Sequence, residues 1–111
     1  MTEFRYEKAE QSAKQVLTEL DLPEYTQKRC IALLNDKRTQ DILTEKNTDG
    51  IIAGAIYIAA ILTDYRVTQQ SLADVMDISE ATIRKYYVML VKRLDLKKSK
   101  TSSVDRTKGK I

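Results

Sequence analysis

Residues 51–62, IIAGAIYIAAIL, form an apolar run broken only by Gly54, and this is the most apolar stretch of the chain. Twelve such residues fall short of the ~20 that span a bilayer, so other parts of the protein must cover the run. A buried strand is the competing reading. The length of the run and its alanines (Ala53, Ala55, Ala59, Ala60) favour a helix. The run is therefore read as a central helix surrounded by others, with Gly54, Ala55 and Ala59 allowing neighbours to approach closely. Asn47 stands where an N-cap is needed, its side chain able to accept from a free backbone N–H.

The rest of the chain is read as helices that cover this one. Only three glycines and one proline occur in 111 residues, which leaves few turns and room for one core. From about Thr2 to Leu20, apolar residues recur at spacings of three and four: Tyr6, Ala9, Ala13, Val16, Leu17 and Leu20. Pro23 ends that segment and suits the first turn of the next. The second helix is expected to reach about Thr39, with Cys30, Ile31, Leu33 and Leu34 facing inward. Ile42 and Leu43 then tuck a loop against the core. After the central helix come TQQSLADVM and SEATIRKYYVMLVKRL, with Thr68 and Ser79 as N-caps. The fold class is thus all-α, with five helical segments in one domain over residues 1–95. Residues 96–111 form a basic tail expected to be disordered.

Several functions are excluded by what is missing. With one cysteine and no histidine, neither an internal disulfide nor a Cys/His metal site can form; no metal or cofactor is expected. Cys30 reads as a small buried thiol. The scattered acids Asp64, Asp74, Asp77 and Glu80 have no site geometry, and no phosphate-binding loop occurs, so no catalytic residue is expected. The polar N-terminus is no signal peptide, so the expectation is an intracellular protein without a membrane partner.

Charge points to a partner. Residues from Arg84 onward carry ten Lys/Arg against two Asp, a net +8, whereas residues 1–83 net −5. A polyanion approached by the C-terminal end suits this asymmetry. Residues 68–94 also carry the pattern of a helix-turn-helix. Ala73 is the small residue where two helices cross, and Asp77-Ile78-Ser79 form the turn. Asp77 takes the place usual for glycine and tolerates a left-handed backbone better than most residues. Ile83, Tyr86 or Tyr87, Leu90 and Leu94 face inward. The opposite face begins with Glu80, Ala81, Arg84 and Lys85. Residues early in a recognition helix reach base edges. Arg84 can pair with a guanine edge and Ala81 can pack on a thymine methyl. Thr82, Lys85, Lys92 and Arg93 suit the DNA backbone, which positions without specifying.

These same residues resemble a cyclin-like repeat of the transcription factor B / general transcription factor IIB family. The likeness lies in Leu22-Pro23, in Ala53, Ala55, Tyr57 and Ala59-Ala60, in Thr68-Gln69 with Leu72-Ala73, and in Thr82-Ile83-Arg84. It runs from about Val16 to Leu94 and looks most like the second repeat. The resemblance implies a five-helix cyclin-like fold with a C-terminal helix-turn-helix, acting in transcription initiation. It implies that the helix-turn-helix enters the major groove of a purine-rich promoter element beside the TATA box, next to TATA-binding protein. The family's base-contacting positions correspond to Ala81 and Arg84; the first is often a larger valine. An archaeal protein would then be cytoplasmic, a eukaryotic one nuclear. The family also has a zinc ribbon that recruits RNA polymerase and a second repeat. With one repeat and no zinc ligands, this chain is either a free-standing relative or a C-terminal domain of a longer protein; the second is the expectation, with polymerase reached only through parts it does not itself contain.

Two other functions fit the pattern. A cyclin-box module binding a protein and no DNA would lock Arg84 into a salt bridge with Asp74 or Glu80. A dimeric repressor would need an apolar patch that the tail does not offer, so a monomer is expected.

Overall fold

The computed structural model describes residues 2–44 and 46–96, with side chains from Glu7 onward. Leu96, placed in the expected disordered tail, is half-buried against the core, whereas the side chain of Tyr6 and residues 97–111 of that tail lie outside the described residues. All regular elements among them are helical: α1 (Thr2–Glu19), α2 (Glu24–Asn35), α3 (Lys37–Gln40), α4 (Thr48–Leu62), α5 (Gln69–Met76) and α6 (Glu80–Arg93). Five of these are the expected helices, and α3 is a single extra turn.

That extra turn corrects the expected second helix, which stops at Asn35 instead of running to Thr39. Asp36 adopts an extended backbone and starts a new helix. Its Oδ1 accepts from the Arg38 backbone N–H at 2.8 Å and from Arg38 Nε at 3.0 Å, while Oδ2 accepts from Nη2 at 2.9 Å. The Arg38 guanidinium so placed holds the Asp36 carboxyl below the usual carboxylate range. Pro23 likewise sits one residue earlier than expected, as the extended N-cap of α2 (ψ 155°).

Helix α4 is central. It packs against α1, α2, α5 and α6, most extensively α6. Every residue from Gly50 to Ala60 is buried except Tyr57, which is half-buried. The α1 stripe faces it through buried Ala9, Ala13, Val16 and Leu17, and α2 does so through Cys30, Leu33 and Leu34. Burial pushes the Cys30 thiol up to about 12, which leaves it protonated and inert. Leu43 is buried and Ile42 half-buried against the core, as expected of the loop.

The close approach expected at Gly54 is present. A Cβ there would lie 3.0 Å from the Tyr87 backbone nitrogen and 3.2 Å from Leu90 Cδ1. Gly50 makes a tighter crossing that the sequence did not suggest: a Cβ there would run into the Tyr86 ring. The expected cap at Asn47 is corrected. Asn47 holds the N-cap position, but its side chain makes no bond to the helix. It turns back into the preceding loop instead. Oδ1 accepts from the Thr44 N–H at 2.7 Å and Nδ2 donates to the Ile42 carbonyl at 2.8 Å.

A buried and a half-buried hydroxyl join at the edge of the core. Thr63 Oγ1 donates to the Ala59 carbonyl at 2.7 Å and lies 2.8 Å from Thr26 Oγ1. A carbonyl can only accept, so the Thr26 hydroxyl is the donor of that second bond. Thr39 is fully buried, and among the described residues its Oγ1 finds no partner.

Four helices close in the same way. Asp21, Asp64, Asp77 and Asp95, just past α1, α4, α5 and α6, all have left-handed backbones (φ 56–59°). The apolar or aromatic residue after each one donates its N–H five residues back. Leu22 donates to Leu17 at 3.2 Å, Tyr65 to Ala60 at 2.8 Å, Ile78 to Ala73 at 3.2 Å and Leu96 to Val91 at 3.0 Å. This is the Schellman closure, which satisfies carbonyls the helix leaves open and is usually made with glycine.

Candidate nucleic-acid interface

Helices α5 and α6 are set by a short, fully specified sequence. Thr68 Oγ1 accepts from the Ser71 N–H at 3.0 Å and starts α5. Asp77 stops it with φ 58° and ψ 46°, the left-handed turn expected there. Ser79 Oγ then accepts from the Thr82 N–H at 3.0 Å and starts α6. Both expected N-caps are therefore made. Ala73 is buried at the crossing, and Ile78 packs from the turn onto the core.

The inner face of α6 is anchored by Ile83, Leu90 and Leu94, all buried. Tyr86 and Tyr87 both turn partly inward, one on each side of that stripe. Tyr86 lies on Gly50. The Tyr87 ring meets Tyr57 at a centroid distance of 4.9 Å and a tilt of 57°. Burial raises the Tyr87 hydroxyl above its ordinary range, with Tyr57 adding to the effect and the charge of Arg84 opposing it.

The outer face is opposite. In a helix, positions three and four apart lie one above another, so Ala81, Lys85, Val88 and Lys92 form one line with Arg84 beside it. All five are exposed. Val88, 43% exposed, was not singled out from sequence. Its place in the 81–85–88–92 spacing is the signal that marks it. Among the described residues Arg84 forms no salt bridge to Asp74 or Glu80; Nη1 donates instead to Gln69 Oε1 at 3.1 Å. Gln69 was matched as part of a motif, but no role was read for it. Lys85 Nζ lies 5.2 Å from the centroid of the Tyr86 ring, a cation–π distance that leaves its charge at the surface.

Two expected backbone residues stand apart. Thr82 is half-buried, and its hydroxyl lies 2.9 Å from Ser79 Oγ inside the cap. Arg93 is turned toward α3, where Nε donates to the Arg38 carbonyl at 3.4 Å. Beside the start of α5, a shallow hollow of about 520 Å³ is lined by Tyr57, Ile61, Tyr65, Arg66, Gln69 and Glu80. Arg66 is exposed there and adds a cation that the reading of residues 68–94 did not include. Among the described residues no helix is long and apolar enough to cross a membrane.

Comparison with known proteins bears on this arrangement. The family model for the transcription factor TFIIB repeat matches residues 2–93. The chain is 35% identical over 74 residues to transcription initiation factor IIB 2 of Halobacterium salinarum, which covers 67% of this chain and 23% of that protein. It is 37% identical over 86 residues to transcription initiation factor IIB 2 of Haloferax volcanii, covering 78% and 26%. It is 34% identical over 79 residues to transcription initiation factor IIB of Pyrococcus furiosus, covering 71% and 26%. The chain thus spans about a quarter of the length of the curated relatives it matches.

Proposed function

Because the chain belongs to the transcription factor TFIIB repeat family, we propose that it acts in transcription initiation by placing α6 in the major groove of double-stranded promoter DNA. The observation that carries this reading is the outer stripe of α6. Ala81, Arg84, Lys85 and Lys92 are all exposed on the side away from the buried Ile83 and Leu90. Among the described residues Arg84, Lys85 and Lys92 form no salt bridge.

Each residue has a distinct task. Lys85 and Lys92 neutralise phosphates, an interaction that weakens as salt rises and is indifferent to sequence. Arg84 presents donors to a guanine edge. Ala81, one turn earlier, carries only a methyl group and lets the backbone of α6 approach a base pair. Thr82 and Arg93 contribute at the margins, the first through the cap that fixes the helix start. The target is a purine-rich element beside a TATA box, read together with TATA-binding protein, by residues 1–95 acting as a monomer. RNA polymerase would be engaged through other parts of a longer protein. The archaeal relatives support a cytoplasmic setting. The absence of any Arg84 salt bridge to Asp74 or Glu80 among the described residues removes the feature that would have favoured a protein-only interaction module.

Fluorescence anisotropy tests this directly, using a labelled duplex with a purine-rich element next to a TATA box, with and without TATA-binding protein. Affinity should fall with salt and rise with TATA-binding protein. Arg84→Ala should lower the preference for the purine element over a scrambled one by about tenfold at unchanged thermal stability. No binding at low salt would sink the DNA reading.

A further inference from the structure

Arg84 does not stand alone at the surface. It lies in α6, fifteen residues after Gln69, the first residue of α5, and its Nη1 donates to Gln69 Oε1 at 3.1 Å. This hydrogen bond directly ties a side chain of one helix of the pair to the exposed face of the other. Gln69 is half-buried in the first turn of α5, the turn that the Thr68 cap closes, so its backbone is more constrained than the long side chain of the exposed arginine.

We propose that Gln69 is a positioning residue for Arg84, fixing the guanidinium so that its free donor edge faces the DNA bases. This rests on the DNA-binding reading above. A guanidinium has five N–H donors in a rigid fork. With one Nη1 hydrogen taken by Gln69, the parallel Nε and Nη2 donors stay available, and this is the edge that pairs with guanine O6 and N7. Glutamine suits the task better than a carboxylate would. It accepts a hydrogen bond without adding negative charge where phosphates approach, and without a salt bridge that would compete with the base. Its own Nε2 makes no hydrogen bond among the described residues, so nothing in the fold explains the amide except the bond to Arg84. Ordering the arginine before binding lowers the entropy lost on forming the specific complex. It does nothing for phosphate contacts made by Lys85 and Lys92. Gln69 therefore acts on discrimination and leaves general affinity alone.

The test measures two quantities on the full chain with TATA-binding protein present. One is the affinity ratio between the purine-rich duplex and its scrambled counterpart. The other is affinity for a random-sequence duplex as salt is varied. Gln69→Ala and the isosteric Gln69→Met should each lower the ratio about threefold to tenfold. Random-sequence affinity, its salt slope and the melting temperature should stay unchanged. In an Arg84→Ala background the Gln69 substitutions should have no further effect on the ratio, since their only route is through that side chain. If Arg84→Ala lowers the ratio and the Gln69 variants do not, the positioning role is wrong and the DNA reading stands. If Arg84→Ala itself leaves the ratio unchanged, Arg84 reads no base and the role of Gln69 falls with it.

Discussion

The two faces of α6 obey different rules. On the inner face, space decides. Leu90 is fully buried, Tyr86 lies where a Gly50 side chain would have to go, and the α6 backbone passes 3.0 Å from a Cβ built on Gly54. On the outer face nothing is enclosed, and Ala81, Arg84, Lys85, Val88 and Lys92 are all exposed. Folding therefore chooses the inner residues and leaves the outer ones open. The outer face is an exposed line with two lysines, flanked by an arginine, and packing places no demand on its residue types.

That contrast can be broken from either side. Leu90→Ala removes fully buried atoms and should cost about 3 kcal/mol of stability, read as a large fall in denaturation midpoint. Gly50→Ala should also destabilise, by about 2 kcal/mol, although alanine is the better helix former. Combining it with Tyr86→Ala should recover part of that loss, because the ring is what the new methyl meets. Lys92→Ala should leave the melting curve within about 0.5 kcal/mol and weaken binding to every duplex alike, with a salt slope reduced by about 1. A Lys92→Ala protein that melts early, or a Gly50→Ala protein that melts late, would show that the two faces are not separable in this way.

The sequence disclosed this division unevenly. Spacing alone placed the central helix, the α1 stripe, both caps of the helix-turn-helix and the left-handed turn at Asp77, because each depends on residues within one or two turns of each other. It did not find the break at Asp36, where one side chain captures Arg38 and restarts the chain. Nor did it find the backward turn of Asn47. An asparagine can bond to either flank, and only the loop's path decides. The Gly50–Tyr86 crossing, the Thr26–Thr63 pair and the Gln69–Arg84 bond join residues far apart in the chain. Local periodicity carries no information about such pairs. The outer stripe was half legible. Arg84 and Lys85 stood out by charge, whereas Val88, an apolar residue in the same row, was hidden among core-forming neighbours.

The four left-handed aspartates have a consequence for how this domain can change. Each puts a side chain in a conformation that glycine adopts without cost, and each places a carboxylate where the helix dipole is already negative. At three of these helix ends, those of Asp21, Asp64 and Asp77, stability has been left unclaimed. Glycine at Asp21, Asp64 or Asp77 should each return about 0.5 kcal/mol, and gains at distant sites add. The domain thus holds mutational headroom in its turns. Lineages that move to hotter surroundings, or that accumulate costly changes on the α6 outer stripe while retargeting it, can draw on those turns without repacking the core.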